Sequence, residues 1–489
     1  MLYVGIDLGT SAVKLLLMDE QGNVQRIVTK EYGLYFPHTG WAEQNPEDWW
    51  TQSVVGLKEL IQGYDKDSIK GIGVGGQMHG LVILDKHDDI IRPAILWNDG
   101  RAADEAAYLN DFIGSERLSE YTGNIAFAGF TAPKLLWMKK YEPENFRKIK
   151  KIMLPKDYII YRLTGTYCSD YSDASGTLLL DVKNKCWSQE MKDICDIADV
   201  EMPKLFESYD AVGSVKSEVA MMIGLSDDCK VVAGAGDNAA AAIGTGTIGE
   251  GKCNISLGTS GTIFVADSRF RDGDNHAIHA FAHADGKYHY MACMLAAASC
   301  VKWWVEDILN SDDIAGEQKD IKELADNQIF FLPYLMGERS PINDPHAKGA
   351  FIGMSMNNTR TDMMQAVLEG VAFALRDSLE IMKELGVAPA ESTICGGGAR
   401  SGLWKQIIAN VLNIRLRTVE IEEGPSYGGA ILAAVACGEY ACVEDAVNHI
   451  VKYKDCVEPD EILVEKYNKK YEVFKEIYPQ LKNVMHNCN

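Results

Sequence analysis

Short apolar runs separated by small polar turns set the rhythm of this chain. Leu2 to Ile6 and Val13 to Met18 flank Gly9-Thr10-Ser11, and the arrangement returns roughly half a chain later, where Cys253 to Ile255 and Thr262 to Val265 flank Gly258-Thr259-Ser260. Runs of this kind predict two β-hairpins with the same turn. Continuous apolar character predicts buried strands at Gly71 to Val74 and Leu81 to Leu84. A 3.6-residue period predicts a helix carrying Trp49, Val54, Leu57, Leu60 and Ile61 on one face. A second helix starts near Thr361, with Thr361 or Asp362 as its cap, and presents Met364, Val367, Leu368, Val371 and Leu375. A third follows Gly396-Gly397-Gly398 with Leu403, Ile407, Ile408 and Val411. The pattern is α/β, with no low-complexity linker, and the repeated hairpin divides it into residues 1–245 and 246–489 around a cleft.

At 489 residues and 47% hydrophobic content, the chain is longer than one core normally serves. Its formal net charge of −22 argues against nucleic acid or an acidic membrane as partner. Met1 leads straight into a strand-like run, which we read as the absence of a secretory leader, and no apolar run is long enough to span a bilayer. The twelve cysteines stand singly, as expected of reduced thiols in a cytoplasmic protein.

The repeated turn carries the candidate chemistry. Glycine admits close approach of an anion, and the Thr and Ser hydroxyls with the backbone N–H groups can hold phosphate oxygens. The copies differ at one telling place: Asp7 in the first is Ser256 in the second, so the first alone offers a carboxylate to a divalent metal. Asp237, in Gly234-Ala-Gly236-Asp237-Asn238, stands at the head of an alanine-rich helix. It reads either as a simple N-cap or as a general base for a hydroxyl attacking a γ-phosphate. Gln77-Met78-His79 and Trp97-Asn98-Asp99 each follow a strand-like run and supply polar groups beside an aromatic wall; the triple glycine offers a shelf for a flat base.

Three strings imitate other motifs. Gly246 to Lys252 has P-loop spacing, but Cys253 stands where Ser or Thr belongs and a strand follows. Gly71 to Gly76 has dinucleotide spacing, yet reads as the glycine-rich end of a buried strand. His276, His279 and His283 have metal-like spacing but read as histidines of an alternating strand.

Taken in order, these pieces resemble the FGGY family of carbohydrate kinases across essentially the whole chain. The markers are Gly5 to Lys14, Gly76 to Gly80, Trp97 to Arg101, Lys134 to Trp137, Leu154 to Tyr158, Ser169 to Thr177, Gly236 to Ala239, Ser256 to Gly261, Phe331 to Pro341 and Gly349 to Gly353 followed by Asp362 to Glu369. Lys140 departs from the usual amide or acid of one signature. The resemblance implies two actin-like (ribonuclease-H-like) domains with a catalytic cleft between them, ATP and Mg²⁺ in that cleft, and phosphoryl transfer to O5 of D-xylulose. It implies Asp237 as the base, with Met78, His79, Asn238, Trp97, Asn98 and Asp99 on the sugar side. It further implies Asp7 at the metal, Thr10, Ser11, Lys14, Thr259, Ser260 and Gly261 near the phosphates, and Gly397, Gly398 and Ala399 at the nucleotide. A homodimer would accord with the family. Kinases of another pentulose, a hexulose, a polyol or a sugar acid share most of these features, and an actin-like ATPase shares the paired turns.

Overall fold

The computed structural model describes residues 1–271 and 278–488. His276 therefore lies outside the described residues. Two seven-stranded sheets organise them. The strands of the first are β1 (Leu2–Leu8), β2 (Ala12–Asp19), β3 (Val24–Glu31), β4 (Ile69–Gly76), β5 (Ala211–Ser214), β6 (Lys230–Val232) and β7 (Ala235–Gly236). Their order is β5-β6-β4-β1-β2-β3, with β7 pairing the far end of β4. The second sheet contains β8 (Lys252–Leu257), β9 (Gly261–Asp267), β10 (His279–Ala282), β11 (Tyr288–Met294), β12 (Glu391–Cys395), β13 (Arg415–Val419) and β14 (Tyr453–Val457), in the order β10-β11-β9-β8-β12-β13-β14.

Both expected hairpins form. β1 and β2 run antiparallel from Leu2↔Asp19 to Leu8↔Val13, and β8 and β9 from Cys253↔Val265 to Leu257↔Gly261. In each sheet the first hairpin strand also pairs in parallel with a later one: Leu8 lies beside Gly76, and Ser256 beside Cys395. The decoy strings resolve as expected from their flanks: Gly71 to Gly76 is the end of β4, and Gly246 to Lys252 leads into β8.

The helices relevant to the cleft are α1 (Pro46–Leu60), α2 (Thr131–Tyr141), α3 (Pro155–Thr164), α4 (Tyr171–Ala174), α5 (Asp237–Gly244), α6 (Arg360–Glu384), α7 (Gly402–Leu412) and α8 (Gly424–Ala436). Asn45 caps α1, and Pro46 fits its first turn, where no N–H is needed. The cap of α6 is Thr359, not Thr361 or Asp362; Asp362 instead returns a bond to the Thr359 amide, closing a capping box that fixes the start two residues earlier. Ser401 caps α7 after a tight turn through Gly397–Arg400.

Helix α8 belongs to the second half in sequence but packs on β1 and β4 of the first sheet and against α5. Glycine makes that contact sterically admissible. A Cβ on Gly5 would lie 1.7 Å from the Ser426 carbonyl oxygen, and one on Gly73 would lie 2.0 Å from that of Gly429. Between the helices, a Cβ on Gly428 would meet the Ala240 carbonyl at 1.9 Å and one on Gly244 the Gly424 carbonyl at 2.2 Å. Among the described residues, no helix is long and apolar enough to cross a membrane, and all twelve cysteines are free thiols.

Because the obstructing atoms at Gly5 are backbone, Gly5→Ala should destabilise the protein by about 3 kcal/mol or more, the upper end of overpacking costs. Thermal and denaturant unfolding measure it, and a loss below about 1 kcal/mol would show that α8 does not bear rigidly on the sheet.

Candidate active site

Three parallel strands of the first sheet end side by side. Leu8 is in register with Gly76, and Gly76 with Gly236. The segments that follow are the first Gly-Thr-Ser turn, Met78-His79 and Asp237-Asn238, so three sites far apart in sequence meet at one sheet edge, where open α/β sheets bind ligands. In the first turn the carbonyls are tied back: Gly9 O accepts from the Tyr32 hydroxyl and Thr10 O from Gln44 Nε2 at 2.6 Å. Ser11 is exposed, and Thr10 Oγ1 accepts from the Trp97 indole at 3.0 Å. Lys14 is already paired, with Nζ 2.7 Å from Glu423 Oε2 of the second half, and so clamps the halves together rather than standing free for phosphate.

At the end of the neighbouring strand, Met78 is buried, packed between Gly236 and Gly176. His79 adopts a left-handed backbone (φ 67°), and α2 holds it there: Lys134 Nζ and Thr131 Oγ1 donate to its carbonyl at 2.9 and 3.1 Å. Its ring stacks on Phe130 at 4.6 Å, and Nδ1 lies 2.6 Å from Gly176 O. A carbonyl accepts only, so Nδ1 carries the proton and Nε2 presents a lone pair. Burial lowers the imidazole to about 3, which keeps it neutral. Trp97 and Asn98 are exposed beside the first turn. Asp99 departs from its expected place at the sugar: its carboxylate accepts from Ala42 N at 2.5 Å and from Arg101 N, Nε and Nη2 at 2.9, 2.9 and 2.7 Å. Arg101 in turn lies over Trp41 at 3.8 Å, so Asp99 supports the loop instead of facing the ligand.

Asp237 begins α5, and Gly236, not Asp237, occupies the cap position. The Asp237 carboxylate accepts from Asn238 N at 2.7 Å and Asn238 Nδ2 at 3.0 Å. Burial raises it to about 6. Asp7 is raised further, to about 7, by burial and then by the Asp237 charge, with Lys14 pulling the other way. Asp7 thus feels both burial and the Asp237 charge, whereas Asp237 is raised by burial alone; carboxylates desolvated in this way are hard-oxygen groups of the kind a divalent cation relieves.

The second turn is built like the first. Thr259 O accepts from Ala297 N at 2.9 Å and Ser299 Oγ at 2.7 Å, and Gly258 O from Ala298 N at 3.0 Å, which leaves Thr259 and Ser260 exposed. Since Ser256 is in register with Cys395, this turn faces the triple glycine across the strand ends. Between them opens a cavity of about 900 Å³ lined by Gly258, Thr259, Ser299, Gln318, Gly397 and Gly398, with Ile314, Leu403 and Trp404 as an apolar wall. Two residues expected there lie elsewhere. Gly261 is buried in β9, where a Cβ would meet Met294 at 2.7 Å, and Ala399 lines a separate cavity of about 230 Å³ behind the loop.

Sequence reading gave no individual role to Lys134, Glu338 or Arg339. Glu338, buried and raised by that burial to about 8, accepts from Leu295 N and Arg339 N at 2.8 and 2.7 Å, while the Arg339 guanidinium lies over Phe127 at 5.5 Å; burial first, and then the Arg339 charge, lowers His279, and the same charge adds a smaller lowering at His79. His279 stacks on Phe281 at 5.4 Å, and His283 Nε2 lies 2.9 Å from Thr247 O, so both sit in packed surroundings.

Known proteins match this chain over nearly its whole length. The N-terminal domain model of the FGGY family of carbohydrate kinases matches residues 2–244, and the C-terminal domain model matches residues 253–437. Xylulose kinase of Escherichia coli (strain K12) is 40% identical over 489 residues, covering 99% of this chain and 100% of the relative. A crystal structure of a xyloylose kinase from Brucella ovis superposes with a TM-score of 0.94 at 38% identity, over 99% of this chain and 100% of that one. A gluconate kinase from Lactobacillus acidophilus superposes with a TM-score of 0.93 at 27% identity, over 98% of each chain. Matches to both domain models place this chain in the FGGY family of carbohydrate kinases.

Proposed function

We propose that the protein is an ATP-dependent kinase of D-xylulose, transferring the γ-phosphoryl group to O5 and releasing xylulose 5-phosphate, ADP and a proton. The observation that carries the reading is the convergence of Asp237, His79 and the first Gly-Thr-Ser turn at one edge of the first sheet, with a nucleotide-sized cavity beside the matching turn of the second. Full-length similarity to a xylulose kinase supports the choice of sugar.

In this mechanism ATP lies in the cavity of the second half, its base on Gly397 and Gly398 and its phosphates against Thr259 and Ser260, with the γ-phosphate reaching Thr10 and Ser11. Backbone N–H groups do this work in a protein of net charge −22, because a turn amide binds an anion without adding a cation to the surface. The sugar sits against Met78, Trp97 and Asn98. His79 Nε2 accepts a hydroxyl hydrogen, Asn238 orients a second hydroxyl, and Asp237 takes the O5 proton as the oxygen attacks phosphorus in line. Mg²⁺ held at Asp7 would neutralise charge on the β- and γ-phosphates. Residues 1–245 form the sugar and metal side and residues 246–489 the nucleotide side. Twelve unpaired thiols support a cytoplasmic location, and the family resemblance extends to a homodimer, which sedimentation tests.

ADP release with Mg·ATP should be stimulated by D-xylulose above D-ribulose, L-xylulose, glycerol and gluconate; a different preferred acceptor would change the substrate, and sugar-independent hydrolysis would remove the kinase reading. Asp237→Ala should lower kcat by about 10²- to 10⁴-fold while sugar binding survives. His79→Ala should raise the sugar KM and leave that for ATP nearly unchanged.

The raised carboxyl of Asp237 sets the pH dependence. It must be ionised to accept a proton, so kcat/KM should fall as pH drops through about 6, well above the ordinary aspartate range near 3.9. Ionised Asp237 also costs the fold stability, since burial holds its folded value, about 6, above that of an exposed aspartate. Asp237→Asn should therefore melt higher than the parent at pH 8, with the gain disappearing near pH 4. A lower melting temperature at both pH values would contradict the assignment of a desolvated carboxylate.

A further inference from the structure

Two of the sequence motifs, Leu154 to Tyr158 and Ser169 to Thr177, supply none of the groups placed in the cleft, yet they converge directly behind it. Lys156 Nζ, fully buried, lies 2.6 Å from Asp157 Oδ1, 2.9 Å from Asp170 Oδ1 and 3.7 Å from Asp173 Oδ2, all three carboxylates being buried as well. Asp170 Oδ2 accepts from Ser172 N at 2.8 Å, Ser172 Oγ at 2.5 Å and Ser208 Oγ at 2.7 Å. With its single hydrogen donated to Asp170, Ser172 Oγ turns a lone pair toward Gly236 and accepts from Gly236 N at 3.1 Å. Gly236 is the residue before Asp237. One turn further along the same segment, Gly176 O accepts from His79 Nδ1 at 2.6 Å. Ser175 Oγ, between them, accepts from Ala282 N of the second half at 3.0 Å.

We propose that Ser172 and Gly176 are positioning residues, the two ends of one bracket that sets the catalytic base through Gly236 and the sugar-binding imidazole through Nδ1. The proposal rests on the roles given above to Asp237 and His79.

Physical chemistry favours positioning over mere stability. A buried Lys surrounded by three Asp is a poor source of folding energy, since apolar residues of like volume commonly do as well. What the cluster supplies is direction: Lys156 fixes Asp170, Asp170 fixes the Ser172 hydroxyl, and the hydroxyl fixes the amide at the head of α5. At the other end, glycine is needed at 176, because a Cβ there would lie 2.4 Å from His79 Nδ1 and 3.1 Å from Met78 Cε. Met78 is wedged between the two ends, since a Cβ on Gly236 would come within 2.9 Å of its Sδ. The spacing between base and imidazole is thereby set by a segment that touches no substrate.

The two ends should separate kinetically. Ser172→Ala leaves the Gly236 N–H without its acceptor and should lower kcat roughly ten- to hundredfold, as small misplacements of a reacting group do, with both KM values within about twofold of the parent. Gly176→Ala should instead raise the sugar KM about tenfold or more with a smaller change in kcat, and His79→Ala/Gly176→Ala should bind sugar no worse than His79→Ala alone, since Gly176 acts through the ring. Melting temperatures and circular dichroism of each variant accompany the kinetics. Should either single variant fail to fold, Ser208→Ala, which removes one of the donors holding Asp170, should lower kcat in the same direction and to a smaller extent. If Ser172→Ala turns over within twofold of the parent, or if Ser172→Ala and Gly176→Ala alter kcat and KM alike, the bracket is overturned. Asp237→Ala distinguishes the two levels: near-normal turnover there overturns the base assignment itself, whereas an inactive Asp237→Ala beside a normal Ser172→Ala overturns the bracket alone.

Discussion

The close approach of α8 to the first sheet is the constraint on which the rest of the structure depends. No side chain intervenes where Gly5 and Gly73 meet the carbonyls of Ser426 and Gly429, nor where α5 and α8 cross at Gly428 and Gly244. Contacts of this kind trade side-chain burial for backbone proximity, and they leave little freedom in how α5 lies. Because α5 begins with Asp237 and α8 comes from the second half of the chain, one packing contact fixes Asp237 and joins the two halves. Lys14 and Glu423 repeat that joint electrostatically at the mouth of the first turn.

Charge is managed in the cleft by withholding neutralisation. Asp7 and Asp237 are half-buried with less compensation than desolvated carboxylates prefer, and both are raised. His79 is held neutral by burial and by a carbonyl that fixes its tautomer. In the two Gly-Thr-Ser turns the carbonyls of Gly9, Thr10, Gly258 and Thr259 are already bonded within the protein, so fewer acceptors remain there to repel an anion. Turns of this kind can receive an anion without a basic patch.

The repeated hairpins, the helix of Trp49 to Ile61 and the helix headed by Asp237 were legible in the sequence because each depends on local periodicity and turn chemistry. The strand-end register that unites Asp7, His79 and Asp237 was legible only in outline, since parallel pairing carries no local signal. Asp99 shows the limit: its Asn-Asp-Gly setting fits a ligand contact and a loop anchor equally, and only the placement of Arg101 and Ala42 decides for the anchor. Ala399 and Gly261 fail similarly, for a glycine-rich loop has two faces and the sequence does not say which faces the cavity. The cap of α6 was misplaced because Asp362 suits the third helical position of a capping box as well as the cap itself.

The gluconate kinase that superposes at 27% identity indicates where acceptor choice can reside. In the proposed reading, a backbone shared so closely leaves acceptor choice to the few polar atoms at the end of the first sheet, notably His79 Nε2, the Asn238 amide and the Asp237 carboxylate. A site that hydrogen-bonds a hydroxyl rejects an analogue lacking it far more strongly than an apolar pocket rejects an extra methylene, because the unmatched polar atom stays buried and unpaired. His79 is such an atom: its second nitrogen is committed to Gly176, so it cannot change tautomer to serve a donor where an acceptor is missing. Selectivity for the acceptor and placement of the base are then consequences of one segment of chain, and a change of sugar within this fold requires the support behind His79 to change with the ring.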